Sequence, residues 1–201
     1  GPEVTMDEEA NREMAAQCAH QVCLEMADHR GLRLLASLYG PEELIDTLLV
    51  GIAVSRFHPS TSFEAREHAQ IVSTWIEEVL ATQVDRILGS YRHIAALEGS
   101  TKGLQDIQAE SALVCSREEL HNPSVDPQGV LSLLRQLGPG KIRGKQDYVG
   151  ICNEQVDIIR NALPLACAAC AALADRDSID AVYEVLERLH RTYLAMKRER
   201  G

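Results

Sequence analysis

Aromatic residues are scarce in this chain: one Trp, two Phe and five Tyr stand among 201 residues. An interior with so few rings has to be filled by Leu, Ile, Val and Ala, side chains that suit helices packed at close range. Long apolar runs are missing too. No window approaches the roughly 20 uninterrupted apolar residues of a membrane span, so no membrane partner is expected. No stretch alternates apolar and polar residues with period two, and strand-like and helix-like segments do not alternate, which leaves no sheet. The opening "GPEVTMDEEANRE" is acidic rather than basic and then apolar, so no secretory leader is expected. Gly1-Pro2 has the look of a protease-cleaved tag remnant, with the domain proper running over 3–201. The acidic stretch after it reads as a cut from a longer protein, with Met6 as an alternative native start.

Cationic charge is in deficit as well. Twenty Lys and Arg face thirty Asp and Glu, a net charge of −10. Phosphate backbones reward a large cationic surface, so nucleic acid is an unfavourable partner.

The usual marks of catalysis are absent. There is no G-x-S-x-G and no H-E-x-x-H. The pairs Glu42-Glu43, Glu77-Glu78 and Glu118-Glu119 are adjacent in sequence, and adjacent residues on a helix do not face each other, so they make poor carboxylate dyads. His58, His68, His93, His121 and His190 are isolated and read as surface or helix-end residues. "GPGKIRGK" at 138–145 resembles a phosphate loop only superficially. Gly138 to Gly144 is one residue too long, Gln146 stands where Ser or Thr is needed, and a helix rather than a strand precedes it. We expect no catalytic residues, no cofactor and no enzyme activity.

Six cysteines (18, 23, 115, 152, 167 and 170) raise the question of disulfides or metal. A disulfide scaffold suits small secreted chains starved of core, which this one is not. A structural zinc site needs four ligands, and Cys167 and Cys170 form a lone C-x-x-C. The set Cys18, His20, Cys23 and His29 has ligand-like spacing, but on a helix Cys18 and His20 lie about 200° apart. Reduced thiols in an intracellular protein, cytosolic or nuclear, and no metal are therefore expected. The run 163–173, "LPLACAACAAL", reads as a strip of small residues where another helix approaches, with both thiols on one face with Ala171 and Ala174.

What is present is helical spacing almost throughout. Met14, Ala15, Cys18, Val22 and Met26 form one stripe over 7–29, which Gly31 is expected to end before a short apolar turn. Gly40-Pro41 opens a helix to Phe57 that is apolar on most of its circumference and reads as central and buried. Thr61 and Glu64 stand at capping-box spacing before a long helix to about Leu97, with a kink expected at Gly89-Ser90. A helix over 104–120 should break near Cys115-Ser116, where Ser116 and Glu119 again fit a capping box. Asp126 and Pro127 open a short helix to Leu137. The segment 138–145, with four breakers in eight residues, reads as flexible. Residues 147–174 read as helix with a kink or break near Asn161, caused by Pro164. Asp177 or Ser178 caps the last helix, where Ile179, Val182, Leu186, Leu189, Tyr193 and Met196 make a heptad seam.

The expected architecture is all-α: an irregular bundle of about seven to eight helices in a single domain, with the loop at 138–146 setting off a C-terminal helical hairpin. The expected function is a non-catalytic protein-protein interaction domain, a scaffold or adaptor, that takes a partner helix or short peptide in a groove between helices. Candidate partner contacts are the basic loop residues Lys141, Arg143 and Lys145 and the seam residues Leu186, Leu189 and Tyr193. The seam would also serve self-association as a homodimer. The alternative is a small-molecule or enzymatic site between helices.

Overall fold

The structure is a computed structural model that describes residues 2–57 and 62–200. It is all-α, with no strand among the described residues. The elements are α1 (Pro2–Glu25), α2 (Arg30–Tyr39), α3 (Pro41–Glu43), a π-helical segment (Leu44–Leu49), α4 (Val50–Arg56), α5 (Ala65–Ala95), α6 (Lys102–Cys115), a 3-10 turn (Glu118–His121), α7 (Pro127–Leu134), α8 (Asp147–Ala174) and α9 (Arg176–Arg200). The chain divides into two compact units, Gly1–Val72 with Arg176–Gly201, and Ser73–Asp175. The division does not fall at 138–146. It falls inside α5 and at the single residue joining α8 to α9, so the final two helices belong to different units and are not a separate hairpin.

In the first unit, α9 is the element on which α1, α2 and α4 pack. The α1 stripe behaves as its spacing dictates: Met14, Ala15, Cys18, Ala19 and Val22 are buried, while His20 points to solvent. Each fully buried aliphatic side chain contributes roughly 1.5–3 kcal/mol. Gly31 does not end a helix; it lies inside α2. A methyl group there would overlap the Ala181 backbone carbonyl, so glycine lets α2 and α9 touch backbone to backbone. His29 caps α2: its Nδ1 accepts from the Gly31 amide at 3.2 Å and its Nε2 lies 2.9 Å from Glu184. Gly40, at φ 78°, makes the left-handed turn that separates α2 from α3. The helix from Pro41 is neither regular nor central. Leu44, Leu49, Val50 and Ala53 face the core, whereas Glu42, Glu43, Asp46, Thr47 and Val54 are exposed.

Rings gather at one place in this unit. Phe57 and His190 meet edge-on at 4.7 Å between centroids, Phe63 stacks on His68 at 4.2 Å, and Tyr183 and Tyr193 complete the group. His190, expected at the surface, is buried here. Thr61 and His58 lie outside the described residues. The first amide of α5, at Ala65, donates to Glu187 of α9, whose Oε2 accepts it at 2.8 Å.

The second unit is built on the far part of α5 with α6, α7 and α8. Leu80, Val84, Ile87, Leu88, Tyr91 and Ile94 line its core from α5, which runs unbroken through Gly89-Ser90. α8 packs on α7 and also runs unbroken through Pro164. Pro164 and Arg160 are exposed, so the missing amide bond falls on the outer side of the helix. The buried strip of α8 is Ala162, Ala166, Ala169, Cys170 and Leu173, with Cys167 half-buried; Ala171 and Ala174 point outward, so the strip lies on a different face from the one expected. By length and composition α8 is long and apolar enough to cross a membrane, with a mean hydropathy of 1.5 over its best window, although no uninterrupted apolar run marks it. Its apolar face is occupied by the core of the second unit.

Candidate functional site

The end of α6 creates an opening in the second unit. Leu104, Ile107, Ser111 and Val114 form its buried stripe at a 3-4-3 rhythm. The helix stops at Cys115 because Ser116 turns back on it, its Oγ donating to the Leu113 carbonyl at 2.8 Å. Ser116 thus closes α6 and does not cap the next turn, as the capping-box spacing had suggested. Arg117 then leaves helical geometry (φ −79°, ψ 111°), and the 3-10 turn tucks Leu120 into the core. Asp126 Oδ1 accepts the Gly129 amide at 2.9 Å and starts α7 at Pro127.

Between these elements lies an apolar cavity of about 200 Å³ lined by Glu110, Leu113, Val114, Arg117, Leu120, Leu133, Gln136 and Leu137. Val114 and Leu120 are its buried floor, and Leu133 and Leu137 are half-buried walls. Leu113 stands at its lip, 67% exposed, on the side of α6 opposite the logic of the buried stripe. Glu110 is held in place by Tyr91, whose fully buried phenol donates to Oε1 at 2.6 Å. Burial first, and then the bond to Glu110, push that phenol well above its usual range, so it remains a donor. Leu113 and Arg117 are shared with a neighbouring depression lined by Ser116, Glu118 and Glu119.

The cavity is smaller than the roughly 300–1,000 Å³ of sites that enclose drug-sized ligands. It resembles the ~150 Å³ apolar cavities that accept a benzene ring. A space of that size fits one apolar side chain.

The sequence candidates fall elsewhere. Leu189 and Tyr193 are 0% and 2% exposed, and Leu186 is half-buried, all within the core of the first unit. The heptad seam is satisfied inside the unit by α1 and α2, so it is corrected from a docking surface to an interior one. The basic loop is also not free-swinging. Pro139 and Ile142 are buried, the Ile142 amide donates to Asn153 Oδ1 at 2.9 Å, and Asn153 Nδ2 donates to the Ile142 carbonyl at 3.0 Å. Arg160 Nε donates to the Pro139 carbonyl at 3.0 Å, and Lys141 pairs with Asp157 at 2.7 Å. Only Arg143 and Lys145 of the three cations are exposed with no ion pair among the described residues. The loop candidates belong to the second unit and the seam candidates to the first.

A more polar cleft of about 360 Å³ in the first unit is lined by Ala65, Arg66, Asp180, Glu184 and Glu187. Two of its three carboxylates have structural work: Glu184 meets His29, while Glu187 caps α5 and pairs with Arg191. No group of three or more metal-ligating side chains occurs among the described residues. All six cysteines are free thiols. Burial raises each of them, Cys18 to about 12 with some help from Glu25, and Cys170 to about 11. A raised thiol is a poor nucleophile and metal ligand, because the thiolate is the reactive form. The chain matches no protein-family model, no curated protein and no solved structure.

Leu113 was the signal within reach of sequence reading. Placed on the α6 stripe of Leu104, Ile107, Ser111 and Val114, it is the large apolar residue that falls off it.

Proposed function

We propose that this is a non-catalytic protein-protein interaction domain, an adaptor or scaffold element, that holds a partner helix or short peptide in the groove between the end of α6 and α7. The observation that carries the reading is Leu113: a large apolar side chain, two-thirds exposed, at the mouth of an apolar cavity sized for one side chain. Anchor residues that enter such pockets dominate peptide recognition. Six free thiols, each raised by burial, are consistent with a reducing intracellular setting. Self-association through the α9 seam is not part of the reading, because that seam is occupied.

The test is selection of a random helical-peptide library on the full chain, followed by binding to the Leu113→Asp variant. Enriched peptides should bind the parent chain and lose most of their affinity for the variant. A library that yields no binder, or binders indifferent to Leu113→Asp, contradicts the reading.

A further inference from the structure

We infer that the occupant of the α6–α7 groove is a basic amphipathic helix, one apolar anchor flanked by Lys or Arg. This inference rests on the groove being a peptide site, as proposed above. The argument is charge complementarity. Around the cavity, Glu110 lines the wall, while Glu118 and Glu119 line the adjoining depression, against one cation, Arg117. Glu118 and Glu119 are exposed and make no ion pair among the described residues, so their charge is available. The Glu110 carboxylate is fixed by Tyr91 through Oε1, which leaves its second oxygen able to accept from a partner cation. The chain as a whole carries a net charge of −10, the same sign as the rim.

Complementary rims steer encounter and reject wrong partners. An acidic helix would bring carboxylate against carboxylate at three positions. An anionic membrane surface or a nucleic acid would be repelled in the same way. A basic helix can seat its anchor between Leu113, Leu133 and Leu137 while its cations reach Glu110, Glu118 and Glu119. Arg117, the lone cation, tolerates or contacts the helix C-terminal end, where backbone carbonyls are unsatisfied.

The experiment uses the peptides selected on the full chain. Their flanking positions should be enriched in Lys and Arg over Asp and Glu. Glu118→Lys with Glu119→Lys, both at exposed positions, should weaken binding on the order of tenfold, and Glu118→Gln with Glu119→Gln should weaken it by roughly threefold. Affinity should fall as salt is raised from 50 to 300 mM, because exposed pairs are screened. Circular dichroism should be unchanged in both variants. Binders that are neutral or acidic, or whose affinity ignores both the charge-reversal pair and salt, overturn the inference while leaving the groove as a peptide site. A selection without binders overturns both.

Discussion

The two units fill their interiors by different means. The first concentrates both Phe residues, two of the five Tyr and two His where the end of α4, the segment 62–64, the start of α5 and α9 converge. The second has Tyr91 as its one fully buried ring and otherwise packs aliphatic side chains against the alanines and thiols of α8. Where the end of α4 and the segment 62–64 meet α9, a few large rings fill the interior. Long helices with small residues on one face need no such filler, because their backbones can approach. The aliphatic unit also carries the apolar opening at the end of α6, whereas the cleft of the first unit is lined mostly by charged side chains.

The comparison can be broken most sharply at Phe57. Phe57→Ala removes the ring that touches Phe63, His190 and Tyr193 and should cost about 3–5 kcal/mol, read from urea unfolding. A loss under about 1 kcal/mol would mean that rings do not organise the first unit. Gly31→Ala should cost less, about 1–3 kcal/mol, because α2 must back away from the Ala181 carbonyl. Thermal unfolding checks it, and an unchanged midpoint would contradict the close approach.

Asn153→Ala tests the strap in the second unit. It leaves the amide and carbonyl of Ile142 without their side-chain partner, a loss of about 1–3 kcal/mol. Hydrogen exchange at the Ile142 amide should accelerate; unchanged protection would return 138–145 to the status of a free linker.

The smallest effect concerns the thiols. Each folded-state value is raised, so the stability they contribute is complete below their ordinary 9.0 and is lost as pH rises through about 11 for Cys170 and about 12 for Cys18. Cys170→Ala should flatten the alkaline fall in the stability of the second unit, at a cost near neutrality of about 1 kcal/mol for the lost sulfur. Iodoacetamide at pH 8 should modify Cys23, Cys115 and Cys167, which are partly exposed, before the buried Cys18, Cys152 and Cys170. Faster labelling of Cys170 than of Cys167 would point to an activated C-x-x-C and against simple packing.

Much of the helical layout was legible because it depends on neighbours in sequence. The α1 stripe, Pro41 at the start of α3, the break at Cys115-Ser116 and the Asp126-Pro127 start all follow from local chemistry. What depends on distant residues was not legible. Glu187 caps an amide 122 positions away, Asn153 straps a loop that reads as flexible, and Gly31 answers to Ala181. The π-helical turn at Leu44–Leu49 has no local signature in "LIDTLL". The seam of α9 shows the same limit: spacing reveals that a stripe will be covered, but not by what. Here α1 and α2 cover it, and the candidate site moves to Leu113, an apolar residue outside its helix's buried stripe.

The account turns on which leucines are interior and which are surface, and one paired measurement decides it. Leu189→Asp and Leu113→Asp are compared by chemical unfolding of the full chain. Leu189→Asp should cost about 3–5 kcal/mol, since it strands a charge in the core, whereas Leu113→Asp should stay within about 0.5 kcal/mol of the parent. A chain that tolerates aspartate at 189 and unfolds with it at 113 would contradict the assignment of the seam to the interior and of the α6 groove to the surface.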